Sequence, residues 1–396
     1  MKKPNLEEKE FIKQNIEANT TKLLLQAPTE NIDIKLCVTQ IEGIKKAEEK
    51  FPLLIQSNEL IYPKKINLEQ TSSEQTAKYK ASIFPLDSTL RDLTSGFGID
   101  DIFFAQKLKK VYYHELDLTL AEIAEYNFQE LGLTNIEVIK GNSLNMLKEL
   151  EPTDIIYLDP SRRDENQKKV FLLEDCQPYV VDILPKLFEK ANTIALKLSP
   201  MLDIKQAIRE LINIKEIHII SVKNECKELF IVLEKGYNNE IEYHCINIET
   251  NQQTNQFIFK NSQTPPQLAP KSQLQRGVYL FEPNSSVMKA GGYHEICEHF
   301  EVRKLAPHSH LFVSEKLIED FPGRRFIIKT ILPYNNKIIK TLSTRFPKAN
   351  ITIRNFPQNV SEIRKRTSVK EGGEEYLFFT TNSENEKIII SCEKLQ

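Results

Sequence analysis

At 396 residues, with 40% hydrophobic and 27% charged residues, the chain has the composition of an ordinary globular protein of roughly two or three domains. Its 12 glycines and 19 prolines are too few for a fibrous or low-complexity chain, and no apolar run reaches the ~20 residues that span a bilayer. The net charge of −2 hides an asymmetry: residues 301–370 hold 15 Lys/Arg against five acids, a net +10, leaving −12 elsewhere.

The opening stretch, MKKPNLEEKEFIKQNIEANTTK, is charged throughout and lacks the apolar core of a secretory signal, so a cytoplasmic location is expected. Residues 1–80 read as mainly helical, because NLEEKEFIKQNIEANTTKLLLQ and TQIEGIKKAEEKF repeat apolar residues at three and four. The polar LEQTSSEQTAKYKA reads as a helix leading into the next unit.

From about 83 to 235, strand and helix alternate. STLRDL is a strand followed by a glycine turn and the helix DDIFFAQKL. Strand KVYYHEL precedes the amphipathic helix LTLAEIAEYNFQELG, which Gly132 stops. Next come IEVIKG with SLNMLKEL, DIIYLD with PYVVDILPKLFEKA, and TIALKLS with DIKQAIRELI. The final strands, IKEIHIISV and KELFIVLEK, are separated only by KNEC and are expected to pair as an antiparallel hairpin. Five strand–helix steps followed by a hairpin predict a mostly parallel, doubly wound sheet.

Beyond 235 the style changes. IEYHCINIE and NQFIFKN alternate like an exposed hairpin, NSQTPPQLAPKSQ is a proline-bearing linker, and 275–396 reads as a mixed α/β module closed by EEYLFFTT and KIIISCEK. The six cysteines are scattered without a CxxC pair, so reduced structural thiols are expected. His294, Cys297 and His299 form the tightest ligand-like cluster, but a second ligand pair is not evident, and no metal is expected.

Ligands of a doubly wound sheet lie at the carboxyl ends of its strands. The first strand ends in DLTSGFGID, with Asp92, Thr94, Gly96 and Gly98, where two glycines allow a tight turn and close approach of backbone to ligand. The second ends in Glu115, 23 positions after Asp92, an acid placed to accept from both hydroxyls of a ribose. The third ends in Gly141, Asn142 and Ser143, where an amide reads an adenine edge; the fourth ends in Asp159, Pro160, Ser161, Arg162 and Arg163. Neither GxGxxG nor GxxxxGK[ST] is present, which argues against a dinucleotide or P-loop site.

The acid-x-T-x-G-x-G loop, the ribose acid and the Asp-Pro strand end together resemble the class I S-adenosylmethionine-dependent methyltransferases, over about 83–235. More narrowly, DLTSGFGIDDIFFA, YLDPSRRD and KNECKEL resemble a bacterial group of these enzymes with C-terminal ferredoxin-like and THUMP-like domains. FEPNSSVMKAGGYHEI and HSHLF are similar to the ferredoxin-like part, and IRNFPQNVSEIRKRTSVKEGGEEYLFFTT to the THUMP-like part. The implied fold is a Rossmann-like methyltransferase sheet with a helical N-terminal region and a C-terminal α+β THUMP-like module. Its expected divisions are 1–82 (helical), 83–236 (methyltransferase), 237–314 (hairpin, linker and ferredoxin-like) and 315–396 (THUMP-like, RNA-binding).

The resemblance implies roles. Asp92, Thr94, Gly96 and Gly98 would cradle the methionine part of S-adenosylmethionine, Glu115 the ribose, and Asn142 with Ser143 the adenine; Asp159 would border the methyl group. Asp159, Pro160, Ser161 and Arg162 would form the catalytic corner. Ser161 and Arg162 depart from the Asp/Asn-Pro-Pro-aromatic pattern of amino-methyltransferases, although a guanidinium plane also stacks on a base. DPSR is also similar to the Asp-Pro-x-Arg of 5-methyluridine enzymes, but KLSPM carries no nucleophilic cysteine after the next strand. THUMP domains bind RNA, and the basic segment independently fits a polyanion, with Arg163, Arg324, Arg325, Arg364, Lys365 and Arg366 as candidate contacts. The expected activity is methylation of rRNA or tRNA at an exocyclic amine such as guanine N2. Two other readings stay open: a non-catalytic RNA-binding or ribosome-assembly protein with a retained cofactor pocket, or a methyltransferase of a protein or small molecule.

Overall fold

The computed structural model describes residues 2–25, 31–52, 54, 57, 59–160, 173–251, 253–262 and 264–395. Ser161, Arg162 and Arg163 lie outside the described residues. The chain forms two compact units, one built from residues 1–217 and 227–239, the other from 218–226 and 240–396.

The first unit opens with α1 (Leu6–Gln14), α2 (Thr20–Leu24) and α3 (Ile34–Lys50), which bury Ile12, Leu23, Cys37, Val38 and Ile41 against one another. The first helical run is two helices rather than one. Asn19 takes extended geometry and its side chain accepts the Lys22 N–H, so a new helix starts there. The polar run after it likewise breaks into α4 (Lys65–Gln70) and α5 (Glu74–Ile83), with Ser73 capping the second.

Then come β1 (Thr89–Asp92), α6 (Ile99–Ala105), β2 (Lys110–Glu115), α7 (Leu118–Glu130), β3 (Ile136–Lys140), α8 (Ser143–Met146) and β4 (Ile155–Leu158). These are followed by α9 (Val180–Leu187), β5 (Thr193–Leu198), α10 (Ile204–Glu210), β6 (Ile214–Val222) and β7 (Glu225–Glu234). Strands run in the order β3-β2-β1-β4-β5-β7, the first five parallel and β7 antiparallel to β5. Lys223 and Asn224, between β6 and β7, both have positive φ (52° and 61°), the geometry of a two-residue hairpin turn. Helix α9 is shorter than its apolar pattern predicts, because the chain turns back and the Lys190 carbonyl accepts the Thr153 N–H beside β4. The chain reverses its direction across the sheet between β1 and β4, the switch point where such sheets hold ligands.

In the second unit β8 (Glu242–Ile248) and β9 (Thr254–Phe259) form the expected antiparallel hairpin, but β8 is largely buried and packs against α11 (Ser285–Ala290). The remaining elements are β10 (Tyr279–Pro283), α12 (Tyr293–Phe300), β11 (Arg303–Lys304), β12 (Phe312–Ser314), β13 (Gly323–Pro333), α13 (Asn336–Arg345), β14 (Asn350–Ile353), α14 (Val360–Thr367), β15 (Glu375–Thr381) and β16 (Lys387–Lys394). Their strands form one seven-stranded sheet, β11-β12-β10-β13-β16-β15-β14. Ile339, Leu342 and Ile363 of α13 and α14 pack on Leu377, Phe379 and Ile389 of that sheet.

Candidate functional site

A cavity of about 920 Å³ opens at the carboxyl ends of β1 to β5. Among the expected site residues it brings together Thr94, Gly96, Glu115, Asn142, Ser143, Asp159 and Pro160. Asp92 is 1% exposed and Gly98 is buried; both sit beneath the lining rather than in it.

The loop after β1 is built by its own polar groups. Asp92 Oδ1 accepts the Thr94 N–H (2.7 Å), and Thr94 Oγ1 accepts the Asp159 N–H (2.6 Å), tying the end of β1 to the end of β4. Gly96 N–H donates to Glu115 Oε2 (2.8 Å), Asp117 N–H to Oε1 (2.7 Å), and the Tyr113 hydroxyl to the Gly96 carbonyl (2.6 Å). Gly98 has a φ of +80°, and a Cβ there would lie 2.6 Å from the Phe128 ring, so this turn requires glycine. Thr94→Val leaves the Asp159 N–H without its acceptor and is expected to lower stability by about 1–3 kcal/mol, read by urea unfolding.

Each carboxylate oxygen of Glu115 has a second lone pair, so two backbone donors leave capacity for two hydroxyls. Burial pushes its pKa up. Asn142 and Ser143 are partly committed. The Asn142 side-chain oxygen caps α8 through the Leu144 and Asn145 N–H groups, and the Ser143 hydroxyl donates to the Leu93 carbonyl (2.8 Å). What remains for a ligand is the Asn142 amide nitrogen and the Ser143 lone pairs.

Beneath this rim lies a charged network that the sequence reading missed. Lys80, 0% exposed, contacts Asp100 (2.9 Å), Glu228 (3.2 Å) and the Ser72 hydroxyl (2.7 Å). Tyr157 donates to Asp100 Oδ2 (2.8 Å). Lys197 of β5 pairs with Asp159 Oδ2, and both line the cavity. Burial opposes ionisation of Asp100, but Lys80 and Lys197 outweigh it and hold its pKa below the usual value. Burial likewise works against the Lys197 ammonium, but Asp159, Asp100 and Glu228 prevail and raise its pKa. For Asp92 and Asp101, burial first, then neighbouring carboxylates, push both well above the ordinary carboxylate range. The sequence held a faint signal, a single lysine in the apolar TIALKLS and a single glutamate ahead of LFIVL.

Asn67, Glu69 and Gln70 of α4, with Thr71 and Ser72 just after it, form a further wall of the same cavity. Lys50 fixes that segment by donating to the carbonyls of Leu68 (3.0 Å), Glu69 (2.9 Å) and Thr71 (2.8 Å). Burial, helped by Lys46 and Lys197, lowers the Lys50 pKa to about 8. The N-terminal helical region thus belongs to the pocket.

In the second unit the candidate cations divide. Arg324 grips Glu282, Arg325 Nη1 donates to the Glu319 carbonyl, and Arg364 donates to the carbonyls of Val369 (3.1 Å) and Ala349 (3.2 Å). Lys365 and Arg366 are exposed on α14, with Arg366 donating to the Tyr334 hydroxyl (2.8 Å). His299 packs on Phe257 and Phe300, and burial raises the Cys297 thiol to about 11, which disfavours the thiolate a metal needs.

Family models match a ferredoxin-like domain at residues 279–322 and a THUMP domain-like region at 323–394. The crystal structure of a candidate methyltransferase from Porphyromonas gingivalis W83 is 28% identical, with a TM-score of 0.87 over 99% of this chain and 98% of that one. An rRNA methylase from Streptococcus thermophilus (18% identical, 40% of this chain and 93% of that one) has a TM-score of 0.30. A candidate methyltransferase from Streptococcus mutans in complex with SAH (13% identical, 41% and 96%) has one of 0.31. At those TM-scores neither adds to the argument. No curated protein matches the sequence. Among the described residues no helix is long and apolar enough to cross a membrane. The chain joins a Rossmann-like α/β fold, shared with the Porphyromonas protein, to a C-terminal ferredoxin-like domain and a THUMP-like domain.

Proposed function

We propose that the chain is an S-adenosylmethionine-dependent methyltransferase of RNA, rRNA or tRNA, acting in the cytoplasm on an exocyclic base amine, guanine N2 foremost. The observation that carries this reading is the Asp159-Pro160 corner, which faces the same cavity as the glycine loop and Glu115. The donor set fits the cofactor. Among the described residues lining the cavity are five carboxylates (Glu69, Asp100, Glu115, Asp117 and Asp159) and one lysine, an excess suited to a cationic ligand. The P. gingivalis protein that shares the fold is itself a candidate methyltransferase.

S-adenosylmethionine supplies an electrophilic methyl group on a sulfonium. In-line transfer needs little covalent help from a protein, so positioning and exclusion of water supply most of the rate. Glu115 would hold the ribose, the 94–98 backbone the methionine part, and the free polar atoms of Asn142 and Ser143 the adenine. The Asp159 carboxylate would orient an acceptor N–H and stabilise the positive charge that develops on nitrogen. We assign this chemistry to 83–236, with 1–82 completing its pocket, 237–314 as hairpin, linker and ferredoxin-like part, and RNA capture to 315–396.

RNA capture draws on the THUMP-like match and on the helical face of the second unit. Lys337, Lys340 and Arg345 on α13 are exposed, as are Lys365 and Arg366 on α14. RNA affinity is expected to fall with salt at a log–log slope of about −0.7 per phosphate neutralised on single strands. Filter binding of Lys365→Glu and Arg366→Glu should flatten that slope; a slope already flat in the native protein contradicts RNA capture by this face.

The function is tested by comparing nucleosides of rRNA and tRNA from cells with and without the gene. Loss of N2-methylguanosine at one site, restored by the gene, supports the reading. An unchanged set of methylated nucleosides counts against it.

A further inference from the structure

Lys197 is the one charged residue on β5, and it is 3% exposed. An ammonium buried that deeply is costly unless paired, and three carboxylates, Asp159, Asp100 and Glu228, face it. Its partner Asp159 lines the cavity at the end of β4. That pairing leaves Asp159 with a defined remainder. Its N–H goes to Thr94 and its Oδ2 to Lys197, while among the described residues no donor is paired with Oδ1.

We propose that Lys197 is a positioning residue for methyl transfer: by holding Asp159 Oδ2 it presents Oδ1 alone to one N–H of the acceptor amine. The inference rests on the methyltransferase reading above. The acceptor nitrogen uses its lone pair to form the N–C bond as the C–S bond breaks, and that electron pair stays on sulfur as a thioether. The methylated nitrogen then gives its proton to solvent water, while Lys197 keeps its own throughout. The Asp159–Lys197 pair is neutral as a unit, so it favours a neutral amine, as on a nucleobase, over a protonated alkylamine such as a lysine side chain. The other titratable groups packed around the pair are Asp92 on β1, Asp100 on α6, Tyr157 on β4, Glu228 on β7, Lys80 on α5 and Lys50 on α3.

The test uses the full chain, labelled S-adenosylmethionine and RNA from cells lacking the gene. Lys197→Met is expected to lower kcat about 10²-fold while cofactor affinity, measured by titration, is retained. The loss should fall on kcat rather than on KM, because the cofactor contacts at the other strand ends are untouched. Lys197→Arg should restore most of the rate. The double variant Asp159→Asn with Lys197→Met, which removes both partners of the pair, should be no slower than Asp159→Asn alone. It also settles the matter if Lys197→Met does not fold. Native kcat in Lys197→Met, or strictly multiplicative losses in the double variant, would overturn the proposal and leave the enzyme reading standing. A native protein that transfers no methyl group to RNA overturns both.

Discussion

Replacing Asp159 with alanine is expected to lower methyl transfer about 10²- to 10³-fold while S-adenosylmethionine still binds, the loss typical of one preorganised electrostatic group in a closed site. Glu115, the 94–98 backbone and Asn142 stand at other strand ends of the same cavity, so the expected cofactor contacts survive the substitution. What disappears is the acceptor oxygen at the acceptor corner. Alanine also deprives Lys197 of one partner, although Asp100 and Glu228 remain around it. Asp159→Asn separates the two effects, because it keeps the shape and one acceptor oxygen but removes the charge. Its rate should fall between native and alanine, with single-turnover assays reporting the chemical step. Equal loss of rate and of cofactor affinity in Asp159→Ala would instead mark Asp159 as a binding group.

The second large effect is on stability. Lys80→Ala removes the cation that serves two buried acids, and breaking a buried pair from one side costs about 3–5 kcal/mol. Lys80 is fully buried, while Asp100 and Glu228 are 10% and 4% exposed at the side chain, so solvent does little to screen the loss. The pH dependence has a definite sign. Asp100 is held below its ordinary value of 3.8, so its contribution is complete above that value and is lost as pH falls through the depressed one. The penalty of Lys80→Ala is therefore greatest near neutrality and shrinks in acid. Lys80→Met, which retains the bulk, still leaves both carboxylates unpaired and should recover only part of the loss. Hydrogen exchange of peptides from α5 and β4 in urea measures this within the first unit. Exchange no faster than in the native protein would show that Lys80 does not hold the network together.

What the sequence made legible was local. The glycine turn, the acid 23 positions on and the Asp-Pro strand end are each signalled by a few consecutive residues, and the alternation of strands and helices fixes which end of the sheet they share. The mostly parallel, doubly wound sheet followed from the same alternation. The charged network was not legible, because Lys80 and Glu228 stand 148 positions apart and only the folded sheet brings them together. The pocket wall at 67–72 was hidden for the same reason. Two local commitments of candidate residues were also readable in the sequence. Asn142 precedes a short helix, the position of a capping residue, and its oxygen caps α8. Arg364 lies in the last turn of α14, where cations meet carbonyls, and its guanidinium donates to the Val369 and Ala349 carbonyls there.

The most direct test of the account is methyl transfer in vitro: purified native protein, S-adenosylmethionine labelled in its methyl group, and total RNA from cells lacking the gene. The account predicts label in RNA that co-migrates with N2-methylguanosine after digestion and is lost with Asp159→Ala. Cofactor binding without label in RNA would contradict it, and so would transfer that Asp159→Ala leaves unchanged.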